Sequence, residues 1–426
     1  MFNMTKIRAT NGAGKSFYAN HLSANDYYSE SEKIVGHWKG ILSFEFGLIT
    51  KEVDMDTFSM FQRGINPDTG GKLTQRHVMN GPRFFDFQCA APKSVSIMSM
   101  FDKRLEQAHY ESVAEAMREL EKLAAVRLRK GENVFTNNLE ITGKIIYAEF
   151  HHSASRALDP QLHTHNVVVN VTQDSDDKFK ALESVEMYRA VRYAGKVYHN
   201  KLSALCMKLG YEMENHYDDK GRIVWKDIKG IPEEVMDLYS KRRKEIEKLE
   251  AEFIEEHGRK PTLAENNQLS MSSRAGKMKT VSDREAQRNN LEELVSWAYL
   301  RRKPDAGWWE NQEKIREAFK EALPLVFERE SVVKQDKVLA EVMNQHLGEF
   351  SLAEIKKEMK NVPELRDLGG LSGNPWVSPK EVIDRELYAV KSVEEQKGVF
   401  EAIAPDFQPF PGVESRVKQA KLIHGM

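Results

Sequence analysis

The sequence predicts an α+β fold followed by a helical region, and three observations lead to this prediction. Short apolar runs alternate with helical patterns up to about residue 230, as expected where strands and helices are interleaved. From Glu233 onward, the helix-forming residues Glu, Lys, Leu and Ala dominate. Between residues 146 and 169, apolar and histidine side chains recur with period two, which is typical of strands. We therefore expect a sheet-containing domain first and a helical region after it.

The composition indicates a multi-domain protein of a reducing compartment. Of its 426 residues, 30% are charged and 40% hydrophobic, which is enough for more than one core. The formal net charge of -2 does not by itself indicate a nucleic-acid partner. Cys89 and Cys206 are the only cysteines, which excludes a disulfide scaffold. The sequence shows no membrane-spanning apolar run and no signal-peptide core, so we expect a cytoplasmic protein without membrane insertion.

Aromatic residues cluster near the N-terminus, around a predicted helix. Phe17 and Tyr18 are followed by Tyr27 and Tyr28. Such residues usually pack against a core, but in a domain that also holds a metal ion a tyrosine phenolate could attack a phosphodiester. Because free tyrosine, with a pKa of about 10, is only about 0.1% ionised at neutral pH, this nucleophile would need a nearby cation or base.

Residues 9–16, ATNGAGKS, form a rival pattern in the same region. They resemble a phosphate-binding loop with alanine in place of its first glycine. Such a loop normally opens a doubly wound α/β domain with a further strand that ends in a metal-binding aspartate, and the following roughly 80 residues offer no convincing one. We therefore do not favour nucleotide binding here.

Asp86 is the one charged residue in the aromatic strand that surrounds it. Period two places it on the face opposite Phe85 and Phe87, where a carboxylate would need a strong partner such as an imidazole N–H. An ordinary edge-strand aspartate is the alternative. The residues that follow predict a turn into a helix, whose N-terminus, together with Lys93, could receive a phosphate.

A longer amphipathic helix is predicted between Leu105 and Arg129, with Gly131 ending it. Its apolar residues recur every three to four positions, so we expect it to cover one face of the sheet. These residues are Leu105, Ala108, Val113, Ala116, Leu120 and Leu123.

Three histidines occupy positions from which two neighbouring strands could present them to one metal ion. His152 lies on the strand before an Ala-Leu-Asp-Pro turn, and His163 and His165 share one face of the strand after it. Three neutral imidazoles leave coordination positions open, as in a catalytic metal site. Mn, Ni or Zn suits three nitrogen ligands better than Mg, although a substrate phosphate would add hard oxygen ligands. The alternative is that His151 and His152 are exposed residues at a strand end.

Basic residues recur in the second half of the sheet-containing domain. Only the stretch with Arg274, Lys277 and Lys279 is distinctively positive, because glutamates offset the cluster at 241–244. After Pro304 the chain turns more acidic and predicts further helices, so we place a domain boundary there.

These motifs together resemble the relaxase domain of the MobF class of conjugative relaxases, the TrwC-like group of His-hydrophobe-His nucleases. The similarity includes the paired tyrosines, an Asp-hydrophobe-x-x-x-Ala-Pro-Lys-Ser segment from Asp86 to Ser94, and the pattern from His152 to His165 that ends in Asp-Pro-Gln-Leu-His-Thr-His. It continues through residues 168–172 and 209–212 and covers roughly the first 300 residues.

The resemblance implies a two-layer palm with an antiparallel sheet and an enzyme that nicks and transfers one DNA strand at an origin of transfer in plasmid conjugation. It implies a 5′-phosphotyrosine intermediate, with release of a 3′-hydroxyl. His152, His163 and His165 would hold one divalent ion (Mn, Mg, Ni or Zn), and Asp86 would be the carboxylate that assists these ligands or the nucleophile.

One position departs from the family pattern. The leading residue of the first tyrosine pair usually attacks, and here Phe17 occupies that position, followed by Tyr18. Either Tyr18 attacks, or Tyr27 or Tyr28 does, or Phe17 marks a natural or engineered loss of the nucleophile. The alternative functions are a DNA-binding relaxase without its initiating nucleophile and a His-metal hydrolase of a small substrate.

The resemblance also implies the organisation and partners of the chain. Residues 1–303 would form the relaxase domain, with 233–303 as its helical DNA-clamping part, and 304–426 a helical linker or the start of a helicase-like region. Single-stranded or hairpin DNA, relaxosome proteins and secretion-coupling proteins would be the partners in a bacterial-type cytoplasm, with transfer to a recipient cell together with DNA. The candidate DNA-binding residues are Lys93, Arg274, Lys277 and Lys279.

Overall fold

A five-stranded antiparallel sheet lies at the centre of the first part of the chain in the computed structural model. The structure describes residues 2–8, 35–49, 51–74, 81–128, 139–155, 159–262, 265–266, 269, 312–370 and 374–396. The elements up to the histidine strands are β1 (Phe2–Arg8), β2 (His37–Lys39), α1 (Leu42–Glu45), α2 (Met55–Arg63), β3 (Pro82–Ala90), α3 (Lys93–Met98), α4 (Arg104–Glu121), β4 (Ala125–Arg127), β5 (Leu139–Ile141), β6 (Tyr147–Ala154) and β7 (Pro160–Val169).

The order of the strands in this sheet is β1-β3-β7-β6-β2, and every neighbouring pair is antiparallel. The two histidine strands are therefore neighbours, and β3 lies directly beside β7. The next elements are β8 (Thr172–Gln173), β9 (Phe179–Lys180), α5 (Val185–Arg189), α6 (Val191–Lys208), β10 (Met213–Tyr217), β11 (Ile223–Ile228), α7 (Glu233–Leu238) and α8 (Lys241–His257). The predicted α+β class with an antiparallel sheet is confirmed.

Side-chain alternation gives the sheet two buried faces. Phe85 and Phe87 of β3 belong to a large apolar cluster on one face, whereas Phe84 belongs to a smaller cluster on the other. Helices α4 and α6 bury their apolar sides in the large cluster. On the other face, the Phe58 ring of α2 stacks on Phe84 with centroids 4.6 Å apart. The histidine strands thus lie in a sheet that is packed on both sides.

The helix predicted between Leu105 and Arg129 is shorter in the structure. It ends at Glu121, and β4 begins at Ala125 and pairs with β5. All four residues from Leu123 to Val126 are buried. A surface helix buries only one stripe of its residues, so a run buried on all sides favours a strand instead.

The C-terminal region is largely helical, as predicted, and also contains a three-stranded sheet of order β12-β14-β13. Within the described residues, no helix has the length and apolar character needed to span a membrane. The elements of this region are α9 (Gln312–Val326), β12 (Val333–Lys334), α10 (Gln335–Gln345), α11 (Leu352–Met359), β13 (Leu365–Asp367), β14 (Trp376–Pro379) and α12 (Lys380–Gln396).

The described residues of this region share an apolar cluster with the first part of the chain. Phe319, Val342 and Ile355 belong to the same large apolar cluster as Phe85 and the helices on the sheet. The side-chain amide of Asn200 on α6 donates to the Phe350 carbonyl at 2.8 Å and accepts from the Gly348 N–H at 2.7 Å. Helices α10 and α11 therefore pack on α6. The predicted helical linker or start of a helicase-like region at 304–426 stays a prediction. The predicted boundary itself lies outside the described residues.

Candidate metal centre

Three histidine rings meet where β6 and β7 approach their connecting turn. His152 is paired directly with His163 across the two strands, and His165 lies two residues further along β7 on the same face. The ring centroids are 4.9 Å apart for His152 and His163, and 5.4 Å apart for each of the other two pairs. His152 and His163 are buried, with 2% and 6% exposure. The predicted grouping of the three side chains is present.

Hydrogen bonds set the tautomers of two of these imidazoles. Nδ1 of His165 lies 2.7 Å from Oδ2 of Asp86, and Nδ1 of His163 lies 2.9 Å from the carbonyl oxygen of Gln161. Carboxylate and carbonyl oxygens only accept hydrogen bonds, so Nδ1 carries the proton in both rings. In the neutral ring this leaves Nε2 unprotonated, and Nε2 is the nitrogen that binds a metal ion.

Asp86 occupies the position that the strand pattern predicts. It lies on β3 opposite Val167 of β7, is 5% exposed, and projects from the face opposite Phe85 and Phe87. The predicted imidazole partner is His165. Oδ1 of Asp86 is buried and has no hydrogen-bond partner among the described residues. The carboxylate thus has one oxygen on a histidine and one that can accept a further donor.

The donor set and its spacing fit a metal ion with nitrogen ligands. A bond of about 2.1 Å puts a ring centroid about 3.2 Å from the ion, so two tetrahedral ligands have centroids about 5.2 Å apart. The observed separations of 4.9 and 5.4 Å are close to this value. Among the described residues, however, no three His, Cys, Asp or Glu side chains are already oriented to hold a metal ion together. The planes of His152 and His163 are only 19° apart, so one ring must turn before both point at one ion.

Asp159, the residue before β7, is bound to the start of α8. The Lys241 backbone N–H donates to Oδ2 of Asp159 at 3.1 Å, and the Lys241 ammonium lies 3.6 Å from Oδ1. Burial raises the pKa of Asp159, and the charges of Lys241 and Lys93 oppose this shift.

Lys93 also belongs to this junction. Its ammonium donates to the carbonyls of Pro160 and Tyr239 at 2.9 and 2.8 Å, and burial lowers its pKa. Two of its three hydrogens are thus committed to the backbone, because these carbonyls need a donor. Lys93 thus holds this junction together, and its predicted phosphate contact stays a prediction.

Other predicted site residues lie outside the described residues. They are Phe17, Tyr18, Tyr27, Tyr28, Arg274, Lys277 and Lys279, together with the loop at 9–16. The described part of the basic cluster at 241–244 is neutralised, as the sequence indicated. Arg243 pairs with Glu247 at 2.6 Å and Lys244 with Asp237 at 3.3 Å.

Polar contacts on the other face of the histidine strands were not predicted from the sequence. Thr164, between His163 and His165, is fully buried there and contacts the side chains of His109 and His151. A polar residue at an inward-facing strand position was the available signal, because a buried hydroxyl requires partners.

Comparisons with known proteins match this arrangement to one family. The sequence model of the TrwC relaxase family matches residues 11–296. The multifunctional conjugation protein TraI of Escherichia coli strain K12 is 34% identical over 225 residues, which are 50% of this chain and 12% of that protein. The chain therefore matches about an eighth of the length of this curated relative.

Solved structures show the same similarity in three dimensions. The copper-bound conjugative relaxase TrwC in complex with oriT DNA has a TM-score of 0.57 and 30% identity, over 70% of this chain and 99% of that one. TrwC complexed with a 27-mer DNA that comprises the recognition hairpin and the cleavage site has a TM-score of 0.55 and 29% identity, with the same coverage of both chains.

Proposed function

Because the chain belongs to the TrwC relaxase family, we propose that it is a DNA relaxase that cuts one strand at an origin of transfer and transfers it in plasmid conjugation. The observation that carries this proposal is the cluster of His152, His163, His165 and Asp86 on one sheet face. The TrwC complex with hairpin and cleavage-site DNA supports single-stranded and hairpin DNA as the substrate.

We propose that His152, His163 and His165 hold one divalent ion. When bound, this ion would polarise the oxygens of the scissile phosphate. The copper-bound TrwC structure supports a metal cofactor in the family, and Mn, Mg, Ni and Zn remain the candidates for this chain. Elemental analysis of the purified protein would identify the metal.

The chain's own residues would prepare both the ligands and the nucleophile. Asp86 accepts from Nδ1–H of His165, and the Gln161 carbonyl accepts from that of His163, so Nε2 of each neutral ring is the nitrogen that would bind the ion. The second oxygen of Asp86, without a partner among the described residues, could accept the hydroxyl hydrogen of an approaching tyrosine.

The attacking residue would be one of Tyr18, Tyr27 and Tyr28. Its phenol oxygen would bond to phosphorus while the bond between phosphorus and the 3′ oxygen breaks. The proton lost by the phenol would be balanced by one taken up at the leaving 3′ oxygen. The products are a 5′-phosphotyrosine and a free 3′-hydroxyl, so no water is consumed and the reverse step can join a strand again.

We propose that residues 1–303 form the relaxase unit and that 233–303 contact bound DNA. Arg274, Lys277 and Lys279 would neutralise phosphates there. Relaxosome and secretion-coupling proteins would be further partners in a bacterial-type cytoplasm, and the chain would enter a recipient cell with the transferred strand.

Phe17 supports one alternative, a relaxase that binds DNA without forming the covalent link. Incubating the protein and Mn²⁺ with a pool of random single-stranded oligonucleotides that carry a 3′ fluorophore distinguishes this alternative from the proposed activity. Transesterification would carry the 3′ label to the protein band of a denaturing gel, and peptide mapping would name the tyrosine. Label that leaves the protein on denaturation, with oligonucleotides of unchanged length, would contradict the proposed activity and favour the alternative.

A further inference from the structure

The residue between the two histidines of β7 is polar and fully buried. Alternation along the strand turns Thr164 to the sheet face opposite His163 and His165, on the side of α4 and α6. A buried hydroxyl is costly unless it is hydrogen-bonded, so its partners show what it does.

Two imidazoles contact the hydroxyl of Thr164. Nδ1 of His151 and Nε2 of His109 each lie 2.8 Å from its Oγ1. His109 is on α4, and its Nδ1 lies 2.7 Å from the hydroxyl of Tyr198 on α6. Burial, aided by the charges of His151 and His163, lowers the pKa of His109 well below its usual value, so this ring is neutral. One hydroxyl thus links β7 to β6, α4 and α6.

Every polar group of this network has a partner when each hydrogen bond donates toward the same end of the chain of groups from Tyr198 to Glu149. Nε2 of His151 lies 3.2 Å from a carboxylate oxygen of Glu149, which only accepts. In the neutral tautomer with the hydrogen on Nε2 of His151, Thr164 donates to Nδ1 of His151 and accepts from Nε2–H of His109, and Nδ1 of His109 accepts from the Tyr198 hydroxyl. A network with all its members satisfied holds its side chains in one arrangement.

We propose that Thr164, held by His109 and His151, is a positioning residue for the metal ligands on the opposite face of β7. This inference rests on the proposed function. Hydrogen bonds to the Thr164 hydroxyl fix the orientation of the β7 backbone between His163 and His165. They therefore also fix the positions from which the two imidazoles project on the opposite face. Groups behind the ligands that orient them commonly change metal affinity by about 10–100-fold when they are removed.

The test compares three variants with the unaltered chain. Thr164→Val keeps the shape and removes the hydroxyl, whereas Thr164→Ser keeps the hydroxyl. Thr172→Val is the matched control, because Thr172 is also fully buried and its hydroxyl also makes two hydrogen bonds, to the Lys144 carbonyl at 2.7 Å and to Thr142 at 2.6 Å. Co²⁺ is the probe, since its visible spectrum reports both affinity and ligand geometry.

We expect Thr164→Val to bind Co²⁺ about 10-fold more weakly with an altered spectrum, and Thr164→Ser to restore both. Thr172→Val should lower the melting temperature about as much as Thr164→Val does, but should leave the Co²⁺ affinity unchanged. Equal Co²⁺ affinity and spectra for Thr164→Val and the unaltered chain would overturn the positioning role. An unaltered chain that takes up no Co²⁺ would instead contradict the metal site of the proposed function.

A second variant covers the case in which Thr164→Val does not fold. His151 is partly exposed, and its ring stacks on Tyr110 with centroids 3.8 Å apart. His151→Phe keeps this stack and removes the nitrogen that contacts Thr164. The positioning role predicts weaker Co²⁺ binding by this folded variant, and unchanged binding would count against it.

Discussion

The carboxylate of Asp86 gives the sharpest test of the candidate metal centre. Asp86→Asn removes its negative charge and keeps a carbonyl oxygen that can accept from Nδ1–H of His165. Asp86→Ala removes the acceptor. Both variants leave the three imidazoles in place, so any change in metal binding reports on the group behind His165 and not on a lost ligand.

The magnitudes follow from the hydrogen bond of 2.7 Å between two side chains that are 8% and 12% exposed. A hydrogen bond to a charged group contributes about 1.5–3 kcal/mol, roughly twice the contribution of a neutral one. Loss of the charge alone should therefore cost about 1 kcal/mol, or about fivefold in metal affinity, because about 1.4 kcal/mol is tenfold. Loss of the acceptor should cost about 10- to 100-fold.

Isothermal titration calorimetry with Mn²⁺ measures these affinities. Asp227→Asn is the matched control, because Asp227 is also 5% exposed and its Oδ2 accepts from the ring N–H of Trp225 at 2.8 Å, but it lies on β11 outside the five-stranded sheet. We expect this control to bind Mn²⁺ like the unaltered chain. Equal affinities for Asp86→Ala and the unaltered chain would refute the reasoning, since the carboxylate would then have no effect on the ligand.

Four further predictions concern the ligands, the nucleophile, the DNA contacts and the C-terminal packing. His163→Ala should lose stoichiometric metal by elemental analysis while its circular dichroism is unchanged, and retained metal would contradict the assignment. Phe17→Tyr should raise the yield of covalent DNA adduct by orders of magnitude, whereas strong cleavage by the unaltered chain that disappears only in Tyr18→Phe would show that Tyr18 attacks. Affinity for single-stranded DNA should fall steeply with salt, with a slope set by the number of phosphates neutralised, and a flat titration would exclude this binding mode. Burial raises the pKa of Glu119, but the charges of Lys356 and Lys122 outweigh this and hold it below 4.5. Glu119→Gln should therefore lower the free energy of unfolding, measured with urea, by about 2 kcal/mol at neutral pH. This loss is smaller than that for a fully buried ion pair, because Lys356 is partly exposed. This difference should shrink as the pH falls below 4.5, and a constant difference would contradict the assignment.

The local pattern of the sequence predicted the face of the sheet that carries the site. Strand side chains alternate strictly, so the spacing of His163 and His165, and the position of Asp86 opposite Phe85, could be determined from neighbouring residues alone. The structure pairs these strands in the register that brings Asp86 to His165, although 79 residues separate them in the chain.

Contacts between distant segments were decided only by the tertiary structure. Lys93 was predicted at a helix start, where its charge seemed available for a phosphate. The carbonyl of Tyr239, 146 residues away, is one of the two acceptors of its ammonium. Asn200 likewise binds the backbone of Phe350, 150 residues away, and so attaches the C-terminal helices to the sheet domain.

The physical reason is the range over which each signal acts. Periodicity reports which side of an element is apolar, because each residue's direction depends on its immediate backbone. It does not report which element covers that side or which buried polar group finds which partner. Thr164 shows the difference: its inward direction follows from the sequence, but its partners on α4 and β6 follow only from how these elements pack.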